Sequence, residues 1–329
     1  MRSTPQLVTL LTICCSSALS ALVPHVTNQE ENVVLEDDDS ILSPLKPFHV
    51  IHECINTTSV DGVFYIKSPG REETCGLYLF SAVNTVIEIE LEYVNVPCHT
   101  GGLIALVDGW EMNGQLFPGP ADHPLPVRER YLEHCGTTTT LQPVRSAQNA
   151  ALLQYRLPVA GSAISLRVRH LPNPAPCSQL VEGSEIFTLR SVGRRNNCTL
   201  LSLNPVEFRV LSYRVGVPPP GIMPEALTGP LLKCDQRAWQ DLVEVGEAAG
   251  LDATLSLVTT RLCGRSLTPG PIQNTCSGMF VTRLISSGFF NNVVNVKARL
   301  LTTEEMITRC FSQYDIPQDL GDALEDYGW

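Results

Sequence analysis

The sequence lacks long apolar segments beyond its N-terminus and has no excess of Lys and Arg. No later run is long and apolar enough to cross a bilayer. Lys and Arg total 23 against 34 Asp and Glu, for a net charge of −11 over 329 residues. Phosphate binding needs cations, so this balance argues against nucleic acid and membrane surfaces as partners. It suits a cationic partner, and solubility alone explains it equally well.

Motifs of enzymatic chemistry are also missing. There is no Gly-x-Ser-x-Gly elbow, no His-Glu-x-x-His pattern and no phosphate-cradling glycine loop. No Cys-x-x-Cys pair suggests a zinc site. We therefore predict no catalytic residues and no cofactor, and we expect a protein that acts by binding.

The N-terminus has the pattern of a secretory signal peptide over residues 1–21. A basic residue precedes an apolar stretch from Leu7 to Leu19, and Ala18–Ala21 offers small residues for cleavage. A signal anchor is the alternative, because the apolar run continues slightly further. Residues 22–45 are acidic without an apolar period, which predicts a flexible leader. We expect a secreted, extracellular product.

Two of the 12 cysteines, Cys14 and Cys15, leave with the signal peptide, and ten remain. An even number behind a signal peptide predicts disulfides rather than metal or catalytic thiols. The number alone leaves the connectivity open. The spacing repeats between the two halves of the chain, and this makes sequential pairing the simplest proposal: Cys54–Cys75, Cys98–Cys135, Cys177–Cys198, Cys234–Cys263 and Cys276–Cys310.

Alternating apolar and polar residues predict short β-strands. The clearest run is 86–94, where apolar residues are expected to face the core and acidic ones the solvent; these are Ile87, Ile89, Leu91 and Tyr93, against Glu88, Glu90 and Glu92. The acidic face is either simply solvated or attractive to a cationic peptide. The 24 prolines argue against long helices. One helical turn is expected at Thr302 or Thr303.

The repeat and a proline-rich stretch divide the chain. Leu171–Pro176 has the composition of a linker. We predict a first domain at 46–171, a second at 172–312 and a loosely ordered acidic tail at 313–329.

Landmarks in each half resemble those of the CUB domain. In the first half they are Cys98, Asp108-Gly109 after a strand, Cys135-Gly136, and Ser146–Asn149 before an apolar strand. The resemblance implies an all-β chain of two tandem CUB-like antiparallel β-sandwiches stapled by disulfides. CUB domains often hold calcium near the Asp-Gly turn. Here Gly102 stands where an acidic ligand is expected, so we predict no metal.

A longer run is more specific. It begins at Val107–Trp110, continues through Phe117-Pro118 and Asp122–Pro126, and ends at Glu129–Tyr131. With the ten cysteines it resembles the corticotropin-releasing-factor-binding protein family, over nearly all the chain beyond the leader. The resemblance implies a secreted protein that sequesters a peptide hormone of this type, or an arthropod diuretic hormone, and limits its access to receptor. Such peptides are amphipathic helices, whose apolar face fits a groove.

The residues around the first mature cysteine depart from the family pattern. Vertebrate members carry basic residues before it and an acid after it, whereas this chain has Val50 before and Asn56 after. If this segment touches the ligand, the preferred peptide differs. From this segment and the specific run we predict these ligand contacts: Val50, Ile51, Asn56, Trp110, Phe117 and His123.

Each of these assignments has a structural alternative. Trp110 suits the edge of a core as well as a ligand, and Asp108 suits the capping of turn amides. Asp122–Pro126 is an exposed-looking segment, either a recognition surface or a stiff loop.

Two sequons, at Asn56 and Asn197, predict N-glycosylation at the surface. The rival function is an extracellular CUB module that binds a folded protein rather than a free peptide.

Overall fold

Strands dominate the chain in the computed structural model, which describes residues 48–138, 141–183, 185–218, 234, 241–276 and 278–311. All of them lie in one compact unit, Ser43–Trp329. The predicted signal peptide, leader and acidic tail fall outside the described residues. No helix among these residues is long and apolar enough to cross a membrane.

The first sandwich packs two sheets around a shared apolar core. One sheet has the order β1 (Phe48–Ile51), β3 (Gly62–Lys67), β13 (Ala163–Pro172), β5 (Thr85–Val96) and β10 (Gly136–Thr138), with β11 (Val144–Arg145) also on β5. The other has the order β2 (Ile55–Thr58), β4 (Thr74–Phe80), β12 (Ala150–Arg156), β6 (Leu103–Asp108) and β9 (Tyr131–His134).

The second sandwich repeats this arrangement. One sheet has the order β14 (Gln179–Val181), β16 (Asn197–Ser202), β22 (Met279–Ile285), β18 (Leu242–Ala248) and β19 (Leu257–Leu262). The other has the order β15 (Glu185–Arg190), β23 (Val293–Leu300), β17 (Val206–Val215) and β20 (Gly264–Ser266), with β21 (Gln273–Asn274) also on β17. In the described part of the second sandwich, β1 has no counterpart.

The fold class is as predicted: all-β, with two β-sandwiches in tandem. The five disulfides join the cysteine pairs that sequential pairing predicts. Most strand pairs are antiparallel, but the pairs β1–β3, β2–β4 and β14–β16 are parallel. The short helical turns are 3-10 turns at Cys98–Thr100, Val127–Glu129 and Ala253–Leu255, an α-turn α1 (Thr303–Met306) and a π-turn at Ile307–Phe311.

The predicted alternation in β5 holds only as far as Leu91. The register with β13 shifts there, because Ser165 lies opposite Tyr93 while Leu166 lies opposite Leu91. Glu92 is the extra residue of this bulge, and it reverses the faces that follow. The side chain of Tyr93 is therefore exposed rather than in the core.

The acidic face of β5 is not an open field of negative charge. Glu88 is buried and pairs with Arg145 at 2.6 Å and with Arg169 at 2.7 Å. The hydrogen bond from Arg145 holds the pKa of Glu88 below its ordinary value. Arg167 pairs with Glu92. These arginines neutralise the face, which removes the basis for a cationic ligand there.

The helical turn begins as predicted, at Thr302. Its hydroxyl accepts a hydrogen bond from the Glu305 amide at 3.2 Å, and the Glu305 carboxylate accepts one from the Thr302 amide at 3.1 Å. This is a capping box. Glu305 also pairs with Arg299 at 2.7 Å. The hydrogen bond from Arg299 lowers the pKa of Glu305 to about 2.

We predict that Glu305→Gln lowers the thermal midpoint near neutral pH. Because the pKa of Glu305 is lower in the folded state, its carboxylate stabilises the fold at pH values above the unfolded-state pKa. This contribution is lost as the pH falls from there to about 2. The difference from wild type should therefore shrink over that interval, as measured by calorimetric melts. Glu304→Gln is the control, because it removes the same charge one residue away. A difference that stays constant with pH would contradict the assignment.

Candidate functional site

Strand β1 is an apolar edge of the first sandwich. Phe48 is 60% exposed and Val50 45% exposed, while Ile51 is buried. His49 points inward and stacks on Phe64 at 4.9 Å between ring centroids. The period of two therefore places Phe48 and Val50 on one outer face.

Strand β3 extends this outer face. Val50 lies opposite Tyr65 in the parallel register, and the Phe48 ring stacks on the Tyr65 ring at 6.2 Å. A cleft of about 570 Å³ opens here. Its lining combines Phe48, Val50 and Tyr65 with Lys67 and Pro69. Such a surface can bind the apolar side of an amphipathic peptide.

The predicted contacts in this region separate. Val50 lines the cleft directly, and Ile51 lines it from the core side. Asn56 lies on β2, in the opposite sheet. Phe48 and Tyr65 were missed by the sequence reasoning. The alternation through Phe48, His49, Val50 and Ile51 was the available signal, although it does not say which face is covered.

Trp110 and Phe117 lie at the junction of the two sandwiches, not at the surface. They begin and end the hairpin of β7 (Trp110–Met112) and β8 (Gln115–Phe117). Its turn is Asn113-Gly114, with φ of 53° and 77°, which suits a tight hairpin. Trp110 is 2% exposed and Phe117 0% exposed.

Apolar residues from both sandwiches form one core around this hairpin. Trp110 donates to the Leu79 carbonyl at 2.7 Å and meets the Tyr78 ring edge-on at 5.1 Å. The same cluster contains these residues of the second sandwich: Leu180, Leu201, Ala248, Leu251, Ala253 and Val281. The environment of Trp110 supports the interpretation that it is a core residue. A direct ligand contact would require the two sandwiches to separate.

An ion pair crosses this junction. Arg283 on β22 donates to Asp122 from Nη2 at 2.7 Å and from Nε at 2.9 Å. The Asp122 side chain is fully enclosed and that of Arg283 is 11% exposed. The Thr199 hydroxyl also donates to Asp122, at 2.6 Å. Burial lowers the pKa of Arg283, but the hydrogen bonds to Asp122 and the negative charges of Asp122, Glu244 and Asp252 together outweigh it and raise the pKa overall.

The prediction that Asp122–Pro126 is exposed is therefore wrong at its first two positions. Both Asp122 and His123 are buried. His123 Nδ1 accepts from the Leu125 amide at 3.0 Å, and Nε2 lies 3.1 Å from Asp108 Oδ2. Asp122 points inward because its carboxylate accepts hydrogen bonds from Arg283 and Thr199. Neither partner is close to it in sequence.

Asp108 serves the fold. Its Oδ1 accepts from the Ala147 amide at 2.7 Å, which agrees with the capping role. Asp241 does the same in the second sandwich, accepting from the Ser287 amide at 2.9 Å. Within the described residues, the one group of three potential metal ligands within reach of one another is Cys54, Glu73 and Cys75. Its two sulfurs form a disulfide and are not thiolate ligands.

The two sequon asparagines are half-buried. Asn56 lies in β2, and Asn197 donates from Nδ2 to the Ala121 carbonyl at 3.0 Å across the junction. Thr199 of the second sequon is fully buried. Glycosylation at Asn56 and Asn197 stays a prediction.

Asp122→Asn is expected to lower the free energy of unfolding by about 3–5 kcal/mol, because it leaves the Arg283 charge buried without its partner. Urea unfolding at neutral pH measures this. Glu129→Gln is the control: its carboxylate, 52% exposed, lies 3.8 Å from Arg128, and its loss should cost less than about 1 kcal/mol. Equal effects of the two variants would show that the junction does not depend on this pair.

Comparisons with known proteins match both halves of the chain. Residues 46–172 match the family model for the corticotropin-releasing factor binding protein N-terminal domain, and residues 177–307 match that for the C-terminal domain. The corticotropin-releasing factor-binding protein of Ovis aries is 29% identical over 259 residues, covering 77% of this chain and 76% of that protein. The Homo sapiens protein is 27% identical over 267 residues, covering 79% of each.

A solved structure of the CUB1-EGF-CUB2 domains of rat MASP-1 covers 76% of this chain and 100% of that chain, at 11% identity and a TM-score of 0.25. That likeness is too slight to argue from. The two family models are consecutive and together span most of the chain, and the chain belongs to the corticotropin-releasing factor-binding protein family.

Proposed function

We propose that this chain is secreted and sequesters a peptide hormone of the corticotropin-releasing-factor type, or a related diuretic hormone, and so limits its access to receptor. Family membership carries this proposal. Five disulfides behind a signal-peptide pattern support the secretory route. No chemistry is required, because affinity alone lowers the free hormone concentration.

The proposed ligand surface is the outer face of β1 with its cleft. Phe48 and Val50 expose large apolar side chains at an edge strand, an arrangement that costs solubility unless a partner covers it. An amphipathic helix buries its apolar stripe against such a strip. A tight peptide complex buries about 1,200–2,000 Å² in total, so the ligand would extend beyond the cleft.

Apolar contact rather than charge is expected to dominate this complex. Glu88, Glu90 and Glu92 all lie within ion-pair distance of arginines of the same sheet. Lys67 contributes one cation at the cleft. Val50 is apolar where the family resemblance implies a basic residue in vertebrate members, and we therefore expect a peptide that differs from theirs at the contacting residue.

The double variant Phe48→Ala/Val50→Ala is expected to lose at least about 2 kcal/mol of binding free energy, roughly a 30-fold weaker Kd. Titration calorimetry of the mature protein with a corticotropin-releasing-factor-like or diuretic peptide from the same organism measures it. Leu257→Ala is the control, because this side chain is 75% exposed on the second sandwich.

The outcomes separate the function from its location. A wild-type protein without affinity at tens of micromolar peptide overturns the hormone-binding proposal and favours the folded-protein partner. Wild-type binding that survives in the double variant overturns only the placement at β1. Equal weakening by Leu257→Ala would also reject that placement.

A further inference from the structure

A row of arginines crosses one end of the sheet that β15, β23, β17 and β20 form in the second sandwich. In the register, Arg190 on β15 lies opposite Val293, Val293 lies opposite Arg214, and Arg214 lies opposite Arg265. Neighbouring strands are about 4.8 Å apart, so the row spans roughly 15 Å.

These side chains share the solvent face of the sheet. The buried neighbours Leu189, Val294 and Val215 alternate with the row and point into the core. Arg190 and Arg265 are exposed, and Arg214 is half-buried with Nη2 donating to the Asn291 carbonyl at 3.4 Å.

Two more arginines lie beside the row. Arg194 and Arg195 are both exposed and follow β15 in the connection to β16. Their backbone packs against Gly288, where an added Cβ would lie 2.8 Å from the Arg195 nitrogen. Gly288 belongs to the segment that leads into β23, next to Asn291. The arginine cluster is defined as these five residues: Arg190, Arg194, Arg195, Arg214 and Arg265.

None of the five has an ion-pair partner among the described residues. The other end of the same sheet is different, because Arg299 and Arg309 both pair with Glu207. In the first sandwich the corresponding sheet pairs its arginines with the glutamates of β5. Lack of an ion-pair partner therefore distinguishes the cluster from that other end and from the arginines of the first sandwich. Between the two ends of the sheet, Arg209 and Lys297 also lie opposite each other without an ion-pair partner among the described residues, so the unpaired positive charge extends along this face.

The arrangement also has a cost for the isolated protein. Arg214 and Arg265 are directly opposite on neighbouring strands, and like charges in such pairs destabilise a sheet. An anion lying across the row would remove that repulsion. Guanidinium groups bind oxyanions through paired N–H donors, and several arginines in a row favour a polymer that carries many such anionic groups close together, as a sulfated one does.

We propose that the arginine cluster binds a sulfated glycosaminoglycan. Its cations spread over three strands and a loop, a geometry that matches the repeated charges of a linear polyanion. The inference rests on the proposed secretion, because a secreted protein meets sulfated glycosaminoglycans outside the cell. The net charge of −11 does not prevent this binding. Screening limits the range of each charge to about 8–10 Å, so the local positive field of the cluster is enough to attract an anion.

The test uses the mature wild-type protein and two double variants of equal net charge. Arg194→Gln/Arg265→Gln removes two exposed cations of the cluster. Arg71→Gln/Arg128→Gln removes two cations of the first sandwich, 60% and 87% exposed. Binding to heparin is measured by calorimetry at several salt concentrations, with hyaluronan as the unsulfated polymer and phosphatidylserine vesicles as the anionic membrane. Peptide binding is measured on the same samples.

Wild type and the first-sandwich variant are expected to bind heparin with similar affinity and to show no binding to hyaluronan. The cluster variant should bind more weakly, and the slope of log affinity against log salt should fall by about 1.5 to 2, since each lost contact releases one fewer counterion. Absent heparin binding, equal loss in both variants, or binding to vesicles in preference to heparin would overturn the inference. If peptide binding persists in that case, the hormone proposal stands.

Discussion

The ion pair between Asp122 and Arg283 joins the two sandwiches at a point that water hardly reaches. Two buried charges are expensive to desolvate, and they persist only if both are fully hydrogen-bonded. Here two guanidinium nitrogens and the Thr199 hydroxyl satisfy the carboxylate. The pair therefore requires a defined placement of the sandwiches, and the apolar core around Trp110 and Phe117 supplies the burial that offsets its cost.

This constraint explains why the run from Val107 to Tyr131 is so distinctive. The hairpin of β7 and β8, the buried Asp122 and the buried Arg130 are all parts of one junction. Arg130 donates to the carbonyls of Asp108 and Pro118, which ties the end of this run to its beginning and its middle. A sequence motif specific to a family need not contact its ligand. In this chain it specifies how two repeats are joined.

The repeat comparison points elsewhere for the ligand. Each described strand of the second sandwich corresponds to a strand at the same position in the first sandwich. Strand β1 of the first sandwich has no such equivalent in the described part of the second. A strand that belongs to one copy alone, and that exposes Phe48 and Val50, adds surface rather than core. Because apolar burial depends little on salt and arginine–sulfate contacts depend on it strongly, the two proposed surfaces are separable by ionic strength.

Local features were predictable and long-range ones were not. Thr302 with Glu305 revealed a cap, because a capping box lies within one short stretch. The disulfides were predictable for another reason, because the cysteine spacing repeats between the two halves of the chain. Tyr93 turned outward because β13 forces a bulge from more than 70 residues away. His123 and Asp122 were expected at the surface, since proline and glycine flank them. Their partners lie in other strands, and burial of a polar residue is decided by what it meets, which a pattern of neighbours does not encode.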